Sequence, residues 1–400
     1  MELLPFYSLT LLTGAASDAV FASLRTAALA PSATEAAEAY CRTAGKLLEE
    51  GLTLAEYLER LVRFDDNAFL RAVAAGDVSH ALQEAFAHDI AMLREITHTA
   101  EGLREDLAAR FPAHAAHFLA LPALPAGAWC ASAQDFEQFA RTNGFGRFAA
   151  SNAFTFDGTL HPVLHPDPIR LTDLKGYAVQ KRRILENTKA FLDGHPANNA
   201  LLYGDRGTGK SSTVKALLNE YASRGLRMVQ MGKEHLPLLG ALIEELAPLP
   251  LRFIVFIDDL TFQENDDSFG ALKAVLEGSL VSRPRNLLIY ATTNRRHLIK
   301  ETFTAREGSE LHRADTIDET LSLSDRFGLY VTFLMPGKDE FLTIVKALAE
   351  DRGLITDEDA LFAGAERFAL AKSSRTPRLA RQYIDAITPR ILRGESLDQL

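Results

Sequence analysis

Gly204-Asp-Arg-Gly-Thr-Gly-Lys-Ser211 is the stretch that decides the fold. It meets G-x-x-x-x-G-K-[ST] at every constrained position, a pattern that average composition produces in about one or two per cent of chains this long. On its N-terminal side, Ala200-Leu-Leu-Tyr203 reads as a short buried strand. On its C-terminal side, Val214, Leu217, Leu218 and Tyr221 recur on one helical face, and Arg224-Gly225 ends that helix. Strand, glycine loop and helix in this order make a phosphate cradle. The glycines let the backbone N–H groups of Gly204, Asp205, Arg206, Gly207, Thr208 and Gly209 wrap around phosphate oxygens, and the helix N-terminus adds positive potential. Lys210 is expected to reach the β- and γ-phosphate oxygens. Ser211, followed by Ser212, is expected to offer its hydroxyl to Mg²⁺.

A second signal lies downstream. Phe253-Ile-Val-Phe-Ile257 is a fully apolar strand that delivers Asp258 and Asp259 at its C-terminal end, the edge where open α/β sheets bind ligands. Asp258 is expected at the magnesium ion and Asp259 beside the attacking water. Further short apolar runs occur at Arg227–Met231, Leu287–Ala291 and Leu329–Leu334, with helical stretches between most of them, which predicts an α/β domain with a largely parallel sheet. From about residue 338 to 393 the pattern is helical, with Thr356-Asp-Glu-Asp359 as a cap and Leu361, Ala365 and Phe368 as a buried stripe.

Upstream, residues from about 32 to 150 read as helices. Ser32-Ala-Thr-Glu35 and Thr53-Leu-Ala-Glu56 match the capping box. Tyr40, Cys41, Ala44, Leu47 and Leu48 share one helical face after the first; Leu54, Tyr57, Leu58, Leu61 and Phe64 share one after the second. Between the halves, residues 152–172 carry His161-Pro162, His165-Pro166 and Asp167-Pro168, which predicts an extended linker. The expected division is a helical N-terminal domain 1–150, a linker 151–172, an α/β nucleotide domain 173–335 and a helical lid 336–400.

Composition bounds the rest. The 400 residues are 47% hydrophobic and 24% charged, ordinary globular values with a net charge of −10. Residues 1–150 hold 11 Lys+Arg against 19 Asp+Glu, a charge of −8, which leaves −2 for the other 250. The whole chain therefore has no electrostatic footprint for nucleic acid. Two cysteines, Cys41 and Cys130, make no framework and no metal spacing, and read as core filler in a reducing compartment. The apolar N-terminus has no basic residue before Arg25, and no stretch reads as a membrane span. A cytoplasmic location is expected.

These motifs resemble those of AAA+ ATPases, and within them a bacterial family of uncharacterised AAA+-like ATPases catalogued only as a domain of unknown function. Leu174-Lys-Gly-Tyr177, the run from Asn198 through the phosphate loop, Tyr290-Ala-Thr-Thr-Asn-Arg-Arg-His-Leu298 and Leu321-Ser-Leu-Ser-Asp-Arg-Phe-Gly328 carry the resemblance. It covers about 150–390 and extends weakly over the N-terminal helices. It implies a P-loop NTPase fold with a parallel five-stranded sheet between helices, a C-terminal helical lid and an α-helical N-terminal domain. It further implies that Gly176 and Tyr177 line the adenine pocket and that Asn294 is sensor 1, between γ-phosphate and water. Arg326 would be an arginine finger for a neighbouring subunit, and Arg378 would be sensor 2, with Arg375 and Arg381 as alternatives. Most AAA+ ATPases place Glu where this chain has Asp259, which points to slow turnover or a rearranged site.

The expected activity is hydrolysis of Mg-ATP to ADP by a homo-oligomer that acts on a protein partner through its N-terminal domain. The alternative is an ATP-dependent switch or loader with little hydrolysis. A small-molecule P-loop kinase fits less well beside Asn294, Arg326 and Arg378. Nucleic acid is left open by a local patch of Arg283, Arg285, Arg295 and Arg296. Glu264 and the long segment Thr302–Leu321 receive no role.

Overall fold

The computed structural model describes residues 4–262, 267–277, 284–294, 326–355, 357–393 and 395. They fall into two compact units, Met1–Ser151 with Pro248–Leu251, and Asn152–Ala247 with Arg252–Leu400.

The first unit is helical. Its longer helices are Ala19–Leu29, Ala33–Glu50, Leu54–Arg63, His80–Ala100 and Ala133–Asn143. Ser32 accepts the Glu35 N–H, one half of the expected box, and Thr53 and Glu56 form the full reciprocal box. An aromatic core holds the helices together, with Phe69 stacked on Phe86 at 4.1 Å and Phe86 edge-on to Phe136 at 6.1 Å. Asp89, fully buried, accepts the N–H groups of Thr10, Leu11 and Leu12 and the Thr10 hydroxyl, which ties the N-terminal segment to the long helix. Glu59 does the same for the N–H groups of Cys130 and Ala131.

The expected helical faces shift by one position. Ala36, Ala39, Tyr40, Thr43, Ala44 and Leu47 are buried, while Cys41 and Leu48 face outward. In the next helix Val62 is buried and Phe64, its C-cap, is exposed. Cys130 is also exposed, so neither cysteine fills a core. Small alanines on either side of an apolar stripe leave its centre undetermined in sequence, and the larger Tyr40 and Leu47 set the rotation.

The second unit is a seven-stranded sheet in the order β2-β1-β4-β5-β6-β3-β7, with helices packed on it and a helical lid. The strands are β1 (Ala153–Phe156), β2 (Leu160–Pro162), β3 (Ala200–Gly204), β4 (Leu226–Met231), β5 (Arg252–Ile257), β6 (Leu287–Thr293) and β7 (Leu329–Phe333). All neighbours pair in parallel except β1 with β2. The α/β class is as expected, and all five expected strands are present. β5 and β6 are buried on both faces, which is why they read as unbroken apolar runs rather than alternations.

The count is seven rather than five because residues 153–162, expected as part of an extended linker, form the outermost hairpin. Proline steered that reading. Pro162 cannot donate to a ladder, yet it is tolerated at the end of the edge strand β2. Strands of four and three residues are too short for alternation to register. The rest of that segment lies against the phosphate-loop helix Lys210–Tyr221, where Asn219 donates to the carbonyls of Asp167 and Ile169.

Helices Lys338–Asp351, Glu358–Ala371 and Pro377–Leu392 form the lid around Phe341, Ile344, Leu361, Tyr383 and Ile384. Asp357 caps the second and Thr376 the third. Thr356, expected in the cap, lies outside the described residues.

Candidate active site

The sheet order creates the site. β6 runs between β3 and β5, so their three C-terminal ends are neighbours. β3 delivers the phosphate loop, β5 delivers Asp258 and Asp259, and β6 delivers Asn294. In register, Tyr203 is level with Thr293 and Ile257 with Ala291. Residues separated by tens of positions in sequence therefore emerge side by side at one edge.

Within the loop the glycines are required by geometry. Gly204 has φ +137°, and a Cβ there would lie 2.0 Å from the Phe333 carbonyl oxygen on β7. Gly207 has φ +76°, and its Cβ would press on Thr376 and Arg378 of the lid. The Asp205 N–H donates to Phe333 O at 2.9 Å, and the Asp205 carboxylate accepts the Met335 N–H at 2.6 Å. Arg206 is exposed. Thr208 is buried and donates to Asp205 O at 2.8 Å.

Lys210 is buried, and its ammonium donates to Gly204 O and Asp205 O, both at 2.8 Å, and to Asn294 Oδ1 at 2.9 Å. Burial pushes its pKa below the usual lysine value, opposed by the charges of Asp205, Asp259 and Asp258. Ser211 Oγ donates to Asp258 Oδ1 at 2.6 Å. Asn294 Nδ2 donates to Asp259 Oδ1 at 2.7 Å, so one amide touches both Lys210 and Asp259. Asp259 has φ +52°, a left-handed backbone that non-glycine residues rarely adopt. Two hard oxygens, Ser211 Oγ and Asp258 Oδ1, stand together, and this donor chemistry suits magnesium.

Beside the loop lies a cavity of about 230 Å³. Gly176, Tyr177 and Lys181 line one side, Gly207–Gly209, Ser212 and Thr213 the floor, and Ile344, Leu348, Pro377, Arg378 and Arg381 the lid side. Tyr177 also has positive φ, +53°, at the start of helix Ala178–Leu192. Its hydroxyl donates to Leu334 O at 2.7 Å and its ring packs on Phe333, with centroids 5.1 Å apart. Burial raises its phenol pKa well above the ordinary value. Burial and the neighbouring Lys175 lower that of Lys181.

The three lid arginines separate. Arg378 N–H donates to Gly207 O at 3.2 Å, and its side chain lines the cavity. Arg375 pairs with Glu366 at 3.4 Å, and Arg381 donates to Asp173 O at 2.9 Å. Arg326 is exposed and precedes β7, whose Leu329 is level with Ala200. The phosphate loop begins four residues further along β3, about 13 Å at ~3.3 Å per residue. Arg326 therefore sits at the opposite edge of the sheet from its own loop. Glu264, Arg283, Arg295, Arg296 and the segment Thr302–Leu321 lie outside the described residues.

Lys181, Ile344 and Leu348 did not stand out in sequence, and Thr292 entered only as part of the run that precedes Asn294. The signal for Thr292 was a hydroxyl at the end of an otherwise apolar strand next to the aspartate strand. The lid residues gave none, since each reads as ordinary helix core.

Comparison with known proteins adds the following. The sequence matches the family described as "Protein of unknown function (DUF815)" over residues 148–391. No curated protein matches it. Among solved structures it is similar to the RuvB Holliday junction branch migration motor of Thermotoga maritima, at 19% identity and a TM-score of 0.39, over 57% of this chain and 67% of that one. Two single-residue variants of the same motor match at 19% and 20% identity, with TM-scores of 0.40 and 0.39, over 57% of this chain and 68% and 67% of theirs. Likeness at that level carries no argument about activity. Among the described residues, no helix is long and apolar enough to cross a membrane. The family match spans well over half of the chain and includes the phosphate loop, both aspartates and the lid arginines: the chain belongs to the family of proteins of unknown function designated DUF815.

Proposed function

We propose that this chain binds Mg-ATP at the C-terminal edge of the sheet and hydrolyses it to ADP as a homo-oligomer. One observation carries the reading. Lys210, Ser211, Asp258, Asp259 and Asn294, joined through Thr292, form one continuous hydrogen-bonded cluster beside a cavity floored by the phosphate loop.

The adenine side of the cavity is Gly176 and Tyr177, and the phosphates lie along Gly204–Ser212. Lys210 turns its ammonium from the loop carbonyls to phosphate oxygens. Ser211 and Asp258 hold magnesium, which supplies neutralisation of charge on the transferring phosphoryl group. Asp259 polarises water, and Asn294 fixes the direction of its carboxylate. Arg378 reaches the phosphates from the lid of the same subunit. Arg326, at the far edge of the sheet, serves a neighbouring subunit, which is the reason for an oligomer. The acidic helical unit takes the protein partner. Two free cysteines and a need for ATP fit work in the cytoplasm.

A second reading, a nucleotide-dependent switch with little turnover, is favoured by Asp259. Its carboxylate is one bond shorter than glutamate and is held by Asn294. Steady-state hydrolysis across protein concentration tests both. Activity per subunit should rise with concentration and vanish in Arg326→Ala and Lys210→Ala. Tight ATP binding without turnover sinks the hydrolase and leaves the switch.

A further inference from the structure

Thr292 sits on β6, 2% exposed, beside the start of the Asp258–Leu260 turn. Three hydrogen bonds join it to that turn. Its Oγ1 donates to Asp258 Oδ1 at 2.5 Å and accepts the Asp259 N–H at 3.0 Å, and its carbonyl accepts the Leu260 N–H at 2.7 Å. A hydroxyl offers one donor and two acceptor sites, and this one uses both kinds on two consecutive aspartates. The second aspartate is the one whose backbone is left-handed, φ +52°. A conformation of that kind persists only where its surroundings impose it.

We propose that Thr292 is a positioning residue that aims both carboxylates of the site. The proposal rests on the Mg-ATP reading above. Asp258 Oδ1 now accepts from Ser211 as well as Thr292. When Ser211 turns its hydroxyl to magnesium, the bond from Thr292 is the one left to keep Asp258 pointed at the ion. Thr292 Oγ1, by accepting the Asp259 N–H, holds the turn that sends the Asp259 side chain toward Asn294. Thr292 itself touches neither nucleotide nor metal.

The test compares Thr292→Val, which keeps the branched shape, with Thr292→Ser, which keeps the hydroxyl, in the full chain. A fluorescent ATP analogue is titrated in EDTA and then across magnesium concentrations, and turnover is measured at saturating nucleotide. Thr292→Val should bind the analogue normally in EDTA. It should need about 10–100-fold more magnesium for half-saturation and lose turnover by a similar factor, as is typical when a partner orienting a metal ligand is removed. Thr292→Ser should restore most of both. Normal magnesium dependence in a folded Thr292→Val overturns the proposal, as does a Thr292→Ser as impaired as Thr292→Val. If Thr292→Val does not fold, Thr292→Ala against Thr292→Ser isolates the hydroxyl, and equal magnesium dependence in that pair overturns it. A wild-type chain that binds no nucleotide brings down the Mg-ATP reading and this proposal together. A wild type that binds Mg-ATP beside an unaffected Thr292→Val brings down this proposal alone.

Discussion

Alanine at each of three phosphate-loop glycines should destabilise the nucleotide-free protein in a fixed order. At Gly209, φ is +92° and a Cβ meets nothing within 4 Å, so only backbone strain counts, about 1–2 kcal/mol. At Gly207, φ is +76° and a Cβ would sit 3.1 Å from Thr376 Oγ1 and 3.3 Å from Arg378 Cβ. The same strain applies, and the lid helix has to retreat, loosening the Arg378 N–H bond to Gly207 O. That adds about 1 kcal/mol, for a total of roughly 2–3. At Gly204 a Cβ would lie 2.0 Å from Phe333 O and 2.5 Å from its carbonyl carbon. Both belong to paired backbone on β7, which cannot step aside without breaking the β3–β7 ladder. A loss above about 4 kcal/mol, or failure to fold, is expected there. Thermal melts by circular dichroism without nucleotide give the readout, at about 2–4 °C per kcal/mol for a unit of this size. Equal losses at all three positions would refute the reasoning. So would a Gly204→Ala that melts with Gly209→Ala, since the close approach of β7 would then count for nothing.

Two predictions concern the helical unit, which contains the chain's one tryptophan, Trp129. Asp89→Ala should leave the N–H groups of Thr10, Leu11 and Leu12 without their acceptor, the last of them buried, and cost about 2–4 kcal/mol. An unchanged urea midpoint by Trp129 fluorescence would show that the N-terminal segment does not depend on that carboxylate. Tyr57, buried and donating to Asp18 at 3.0 Å, has its pKa pushed up to about 12 by burial and the Asp18 carboxylate. The unfolded phenol, with an ordinary value of about 10, loses its proton first. Between about pH 10 and 12 the folded state holds more protons, so stability falls as pH rises through that window. Urea midpoints in wild type should drop across it, and Tyr57→Phe should flatten the drop. Tyr40, also raised by burial, keeps part of the slope. A Tyr57→Phe slope equal to wild type would remove Tyr57 as the cause.

What could be read along the chain was whatever neighbours in sequence enforce on one another. The phosphate loop, the five longer strands and the Ser32 and Thr53 caps all follow from spacing over a few residues. Asp258, Asp259 and Asn294 were legible as ends of apolar runs, because a charge or amide after a buried strand has to emerge at an edge. Sequence left open where those edges meet. That β6 threads between β3 and β5, so that Asn294 touches both Lys210 and Asp259, is a matter of sheet order, which short-range pattern does not encode. The same holds for Arg378, whose N–H meets Gly207 O, while Arg375 pairs with Glu366 and Arg381, at the same cavity, donates to Asp173 O. All three lie within seven residues around the start of the last helix, and only packing of the lid on the loop tells them apart. Thr292 is the sharpest case. Its residue type is unremarkable in a buried strand, and its importance comes wholly from parallel pairing, which sets it beside an aspartate 34 positions earlier in the chain.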